Sequence, residues 1–130
     1  MTKEEMRKYV FDVAEMLNSK KAEDIVILDF NQNNDVTDYM IICHAETYLQ
    51  IRALAKYVED KMKDEGMKPL NRRTGLDNDP WILLDFVFLV VHIFEKETRE
   101  FYNIEKLWAD AEVINYDEQT SNINQKAQTS

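Results

Sequence analysis

The run Ile25-Val26-Ile27-Leu28 most narrows what this chain can fold into. It is apolar at every position and is stopped on both sides by an acid, Asp24 and Asp29. Four residues are too few for a stable helix, and most of the run is β-branched, so it reads as a strand. A strand with no polar side must be covered on both faces, which asks for a layered fold. The polar stretch Asn31-Gln32-Asn33-Asn34-Asp35 then supplies a turn. Val36 to Cys43, with its Val, Ile, Thr and Tyr residues, predicts a second strand and hence a hairpin.

Helices are expected to supply the cover. Thr2 and Glu5 stand at capping-box spacing, and Thr47 and Gln50 repeat the pattern. In such a box each side chain satisfies a free backbone N–H at a helix start. Met6, Val10, Val13 and Leu17 follow the first box at helical spacing, with Tyr9 and Ala14 widening the stripe. This helix is expected to end near Asn18, with Lys20 and Lys21 at or just past its end, where cations suit the dipole. Ile51, Leu54, Ala55, Val58 and Met62 mark a second helix, closed by a left-handed Gly66. Met67 to Asn71 reads as a short strand, held to a sheet edge by Pro69, and Arg72 to Asp79 as a loop.

Trp81 to Phe94 is too long for one ordinary strand. We split it at Asp85 to Phe88 into two antiparallel strands, although no Gly, Asn or Pro marks the turn. A third helical stretch covers Thr98 to Ala111, broken near Asn103, with Phe101, Ile104, Leu107 and Trp108 as its apolar side. A single domain is placed at residues 1–113, and the polar residues 117–130 are expected to be a disordered tail. The fold class is α+β: a mixed sheet of about five strands covered by helices, in the order α-β-β-α-β-β-β-α.

Few chemistries fit these residues. Cys43 and His44 are neighbours on a strand and point to opposite faces, so they make a poor nucleophile–base pair. His92 lies inside an apolar strand and reads as a structural histidine. Asp35, Asp38 and the Asp77-Asn78-Asp79 turn offer carboxylates for Mg²⁺, but no glycine-rich phosphate cradle accompanies them. No serine sits in a nucleophile elbow. Two histidines and one cysteine cannot make a usual zinc site unaided, and one cysteine excludes an internal disulfide. We expect no cofactor and no metal.

A net charge of −9 is repelled by phosphate backbones, so little direct nucleic-acid binding is expected. It suits a basic protein partner, or solubility alone. The N-terminus has no apolar leader core, and Asp85 and His92 interrupt the longest apolar run. A cytoplasmic protein with no membrane attachment is the expectation. What remains is surface: Trp81, Phe86, Val87 and Phe88 gather large apolar groups at one end of the sheet. They mark a partner site unless the C-terminal helix covers them.

Five segments in order resemble the ribosomal silencing factor (Iojap) family. They are Asp24 to Asp29, Thr37 to Cys43, Trp81 to Asp85, Val90 to Phe94 and Arg99 to Trp108, and the likeness spans about Met6 to Ala111. The chain departs from the family pattern where Val87-Phe88 replaces a Gly-Asp pair. The resemblance implies a fold related to nucleotidyltransferases but without their activity. It implies a non-enzymatic translational repressor that binds ribosomal protein L fourteen on the large ribosomal subunit and sterically blocks the small subunit. It also implies that free members often dimerise, and that organelle relatives act in large-subunit assembly. Carried over by motif, the partner surface is Trp81 as anchor, Asp85 as a charge partner, Phe86 as an apolar contact and Tyr102 as a rim contact. The rival from another class is a metal-dependent nucleotide-binding or nucleotidyltransferase enzyme using Asp29, Asp38 or Asp85.

Overall fold

In the computed structural model, which describes residues 1–31, 35–73, 79–108 and 110–116, both threonine capping boxes close. Thr2 accepts from the Glu5 N–H at 3.1 Å and opens α1 (Lys3–Ser19). Thr47 accepts from the Gln50 N–H at 3.2 Å and opens α2 (Tyr48–Asp64). The predicted apolar stripes are the buried faces of both helices.

Among the described residues the strands are β1 (Glu23–Asp29), β2 (Tyr39–Ala45), β3 (Asn71–Arg73), β4 (Trp81–Asp85), β5 (Leu89–Glu95) and β6 (Glu112–Asn115). They form one mixed sheet in the order β3-β4-β5-β2-β1-β6. Only the central β2–β5 pair is parallel; the expected hairpins β1–β2 and β4–β5 are antiparallel. The run Ile25-Val26-Ile27-Leu28 is buried at every position, and its side chains alternate between two cores. Ile25 and Ile27 face the larger core, under α1 and α2. Val26 and Leu28 face a smaller one, under α3 (Lys96–Tyr102) and a 3-10 helix (Ile104–Trp108), where Trp108 meets Phe30 edge-on at 5.3 Å.

Four expectations are corrected. The second strand begins at Tyr39, not Val36, because Val36 is exposed and the Thr37 hydroxyl instead donates to the Val87 carbonyl, 3.0 Å away. The third strand is Asn71–Arg73, not Met67 to Asn71: it shares only Asn71 with the expected strand and runs on into the expected loop, because Met67 completes the end of α2. Its N–H donates to the Met62 carbonyl at 2.8 Å, while Gly66, at φ 79°, donates to Lys63 at 2.9 Å. The third helical stretch does break at Asn103, which takes φ 44°, but Phe101 and Leu107 are exposed: α3 docks through buried Arg99, and Phe101, two residues on, lies on the opposite side of the helix. Finally, a sixth strand, β6, pairs with β1 and carries the sheet past residue 113, with Ile114 and Tyr116 buried. Its four residues carry no legible alternation; the free edge of β1 recruits them. The tail at 117–130 and the Asp77-Asn78 part of the acidic turn lie outside the described residues.

The turn between β4 and β5 has only three residues. Phe88 N–H donates to the Phe86 carbonyl at 3.0 Å across Val87, which is forced to φ 77°. Positive φ in a β-branched residue is strained by about 1–3 kcal/mol. Val87 is exposed, so its side chain repays little of this. Val87→Gly is therefore expected to stabilise the fold by about 1 kcal/mol, after allowing for the extra freedom of glycine in the unfolded chain. Urea unfolding midpoints of the two proteins check this; a lower midpoint for the glycine variant would show that the turn is unstrained.

Candidate functional site

Trp81 is held by its backbone before its side chain does anything. Its N–H donates to Asp79 Oδ1 at 3.1 Å, and the Pro80 carbonyl accepts from the Glu95 N–H at 2.8 Å. These bonds tie the start of β4 to the end of β5, with Trp81 opposite Phe94 and Leu83 opposite His92. The indole stacks on Phe94 at 4.7 Å between ring centres and 29° between planes. Its Nε1–H donates to His92 Nδ1 at 3.1 Å. His92 is the diagonal neighbour of Trp81 across the pair, within reach of a long side chain.

The chain passes directly from β5 into α3. Glu95 caps that helix, accepting from the Thr98 hydroxyl at 3.0 Å and the Thr98 N–H at 3.4 Å. About two turns later Tyr102 lies beside the indole at 5.4 Å, and Phe101 meets Tyr102 edge-on at 5.1 Å. Trp81 is half-buried, Tyr102 is 54% exposed and Phe101 82% exposed. The result is an aromatic group rising from a buried sheet to solvent.

Arg99 fastens α3 to the sheet. It is buried, and its Nη1 donates to the Asp24 carbonyl at 2.7 Å and to His44 Nδ1 at 2.9 Å. Its Nε donates to Glu105 at 2.8 Å, in the 3-10 helix. Because arginine only donates, His44 Nδ1 is bare and its Nε2–H faces Glu23, 3.2 Å away. Cys43, one residue earlier, points into the opposite core, as strand periodicity requires.

Of the four motif residues, the structure brings Trp81 and Tyr102 together. Asp85 shares the Trp81 face of β4 but lies about 13 Å along it, four residues at the usual strand rise. Its carboxylate accepts from the Val87 N–H at 2.8 Å and so braces the turn. Phe86 is corrected: it is only 6% exposed and belongs to the core under α1 and α2, because alternation turns it to the other face. Phe101, on the apolar side of the third helical stretch, stands in the exposed group. Leu83, half-buried between Trp81 and Asp85, was missed, although period-two counting from Trp81 identifies it. The bond from the indole to His92 was missed too, since only the strand register makes them diagonal neighbours.

Burial lowers the His92 imidazole from 6.5 to about 4, so it is neutral at pH 7. With Nδ1 accepting from Trp81, its proton sits on Nε2, which has no acceptor among the described residues. Asp29 is buried, paired to Arg7 at 3.2 Å and accepting from the Asn31 N–H at 2.8 Å. Among the described residues no three His, Cys, Asp or Glu side chains gather as metal ligands, and no helix is long and apolar enough to cross a membrane. The arrangement presents a half-exposed aromatic group, Trp81 with Tyr102 and Phe101, at the surface.

Three comparisons bear on what that surface is. The family model described as "Ribosomal silencing factor during starvation" matches residues 3–130. A ribosomal silencing factor of Bacillus subtilis is 38% identical over 100 residues, covering 77% of this chain and 84% of that protein. The mouse protein named "Mitochondrial assembly of ribosomal large subunit protein 1" is 29% identical over 110 residues, covering 83% of this chain and 47% of its own length. A crystal structure of a Chromobacterium violaceum protein superposes with a TM-score of 0.72 at 30% identity, covering 83% of this chain and 87% of that one.

Proposed function

The chain belongs to the ribosomal silencing factor family, and on that premise we propose that it represses translation by occupying the large ribosomal subunit. In this reading it binds ribosomal protein L fourteen on the joining face and excludes the small subunit by its bulk. No covalent step is needed. The reading includes a fold related to nucleotidyltransferases but without their activity, a cytoplasmic location and dimerisation of the free protein.

The observation that supports it is the aromatic group in which half-buried Trp81 meets exposed Tyr102 and Phe101 at a strand start and a helix end. Buried aromatic anchors dominate interface energies, and Trp81 is pre-ordered by Phe94 and His92, so little freedom is lost on docking. Asp85 and the overall charge of −9 favour a basic protein partner and disfavour contact with RNA. Asp29 is already paired with Arg7, which leaves the nucleotidyl-transfer alternative without a free carboxylate at that position.

Sedimentation with purified subunits tests the reading. Co-migration with the large subunit alone, and loss of the joined particle, is the expected result. Trp81→Ala is expected to weaken that binding by about 2 kcal/mol, roughly thirtyfold, with an unchanged circular dichroism spectrum. A folded variant that binds as well as the parent would place the interface elsewhere.

The name of the mouse relative favours a second reading, a factor in large-subunit assembly. It uses the same contacts at a different time. Accumulation of large-subunit precursors in cells lacking the protein would distinguish it from repression of finished subunits.

A further inference from the structure

The partner surface proposed above needs an indole that stands in one orientation, and the geometry around it shows what holds it. A half-exposed tryptophan at the first position of a strand has open solvent on one side. Phe94 supports one face of the Trp81 ring, but stacking at 4.7 Å tolerates sliding and flipping. Tyr102 sits on a short helix and is itself more than half exposed, so it is a weak brace. Among the described residues, the one directional contact of the indole is the hydrogen bond from Nε1 to His92 Nδ1.

His92 is suited to that task by its own confinement. It is 5% exposed, stacks near-parallel on Phe94 at 6.1 Å and 13°, and lies on central strand β5. The acceptor therefore cannot drift. The tautomer that frees Nδ1 leaves Nε2–H buried with no acceptor among the described residues. A polar ring in an apolar layer, satisfied among the described residues only through the indole, is a costly choice for packing alone, since a phenylalanine would fill the space without a lone donor.

Resting on the reading that Trp81 anchors the partner, we propose that His92 is the positioning residue of this surface: its Nδ1 fixes the indole against Phe94 and so presents the outer side of the ring, with Tyr102, to the ribosomal partner. Without that bond the indole samples other rotamers, and docking must select the competent one.

The test reads the bond and its effect separately. In the ¹⁵N-labelled full chain, long-range spectra are expected to show His92 bare at Nδ1 and protonated at Nε2. A scalar coupling between Trp81 Nε1 and His92 Nδ1 is expected as well. Trp81→Phe assigns the indole signal. His92→Phe keeps the ring and removes the acceptor; His92→Asn places an amide oxygen near the Nδ1 position. The indole signal is expected to move in His92→Phe and to return towards the parent position in His92→Asn. Affinity for purified large subunits is expected to fall about fivefold in His92→Phe, the order of one neutral hydrogen bond, and to recover in part in His92→Asn.

A protonated Nδ1, or no coupling, overturns the proposal on the parent protein alone, whether or not any variant folds. It is equally overturned if folded His92→Phe binds like the parent while Trp81→Ala loses binding, because the anchor then works unpositioned. If Trp81→Ala itself binds normally, the surface reading fails and the positioning role goes with it.

Discussion

Arg99→Ala is expected to destabilise the chain by about 3 kcal/mol, the order seen when one partner of a buried charged network is removed. The arginine is the crossing point of three segments: the start of β1 through the Asp24 carbonyl, the end of β2 through His44, and the 3-10 helix through Glu105. Deleting it leaves the buried His44 Nδ1 and the Asp24 carbonyl without this donor and opens a cavity under α3. Glu105 is partly exposed and can turn to water, which limits the loss. Arg99→Met separates the two contributions: it keeps most of the stem volume and none of the hydrogen bonds. If the network carries the effect, the methionine variant falls nearly as far as the alanine one in urea unfolding. If it unfolds like the parent, Arg99 acts by packing. Subunit binding is expected to fall with stability, because Tyr102 rides on the same helix.

Acid is expected to remove a comparable amount of stability through His92. Its imidazole is held at about 4 by burial, against 6.5 when solvated. The unfolded chain therefore takes up a proton first. The contribution is fully present above pH 6.5 and is lost as the pH falls towards 4. Each tenfold difference in proton affinity is worth about 1.4 kcal/mol, so the loss reaches about 2 kcal/mol at pH 5 and about 3 kcal/mol at pH 4. Urea midpoints for the parent and His92→Phe between pH 7 and 4.5 check this. The difference between them is expected to shift steadily in favour of the phenylalanine protein as acid is added. A pH-independent difference would mean that the folded state protonates His92 freely.

The legible parts of this fold share a cause. Capping boxes at Thr2 and Thr47, the stripe from Met6 to Leu17, and the left-handed close at Gly66 involve groups within a few residues of each other. Their physics is complete in the local chain. Alternation along β4 likewise placed Trp81 and Asp85 on one face before any partner strand was known. The family motifs added Trp81, Asp85, Phe86 and Tyr102 as candidate partner residues, and the structure brings the first and last of these into contact.

What the sequence by itself determined was thus the kinds of element, the split at Asp85 to Phe88, the break at Asn103 and the family. Tertiary structure decided the rest. Strand β6 exists because β1 has an unpaired edge, and no signal inside Glu112–Asn115 announces that. Phe101 is exposed because α3 turns its Arg99 side to the sheet, which puts Phe101 on the opposite side of the helix. Phe86 is core because the turn at Val87 lets alternation continue past the strand end. His92 meets the Trp81 indole only because β4 and β5 pair with Phe94 opposite Trp81. Register, edges and helix exits depend on where other segments lie, and side-chain spacing along one segment carries no term for that.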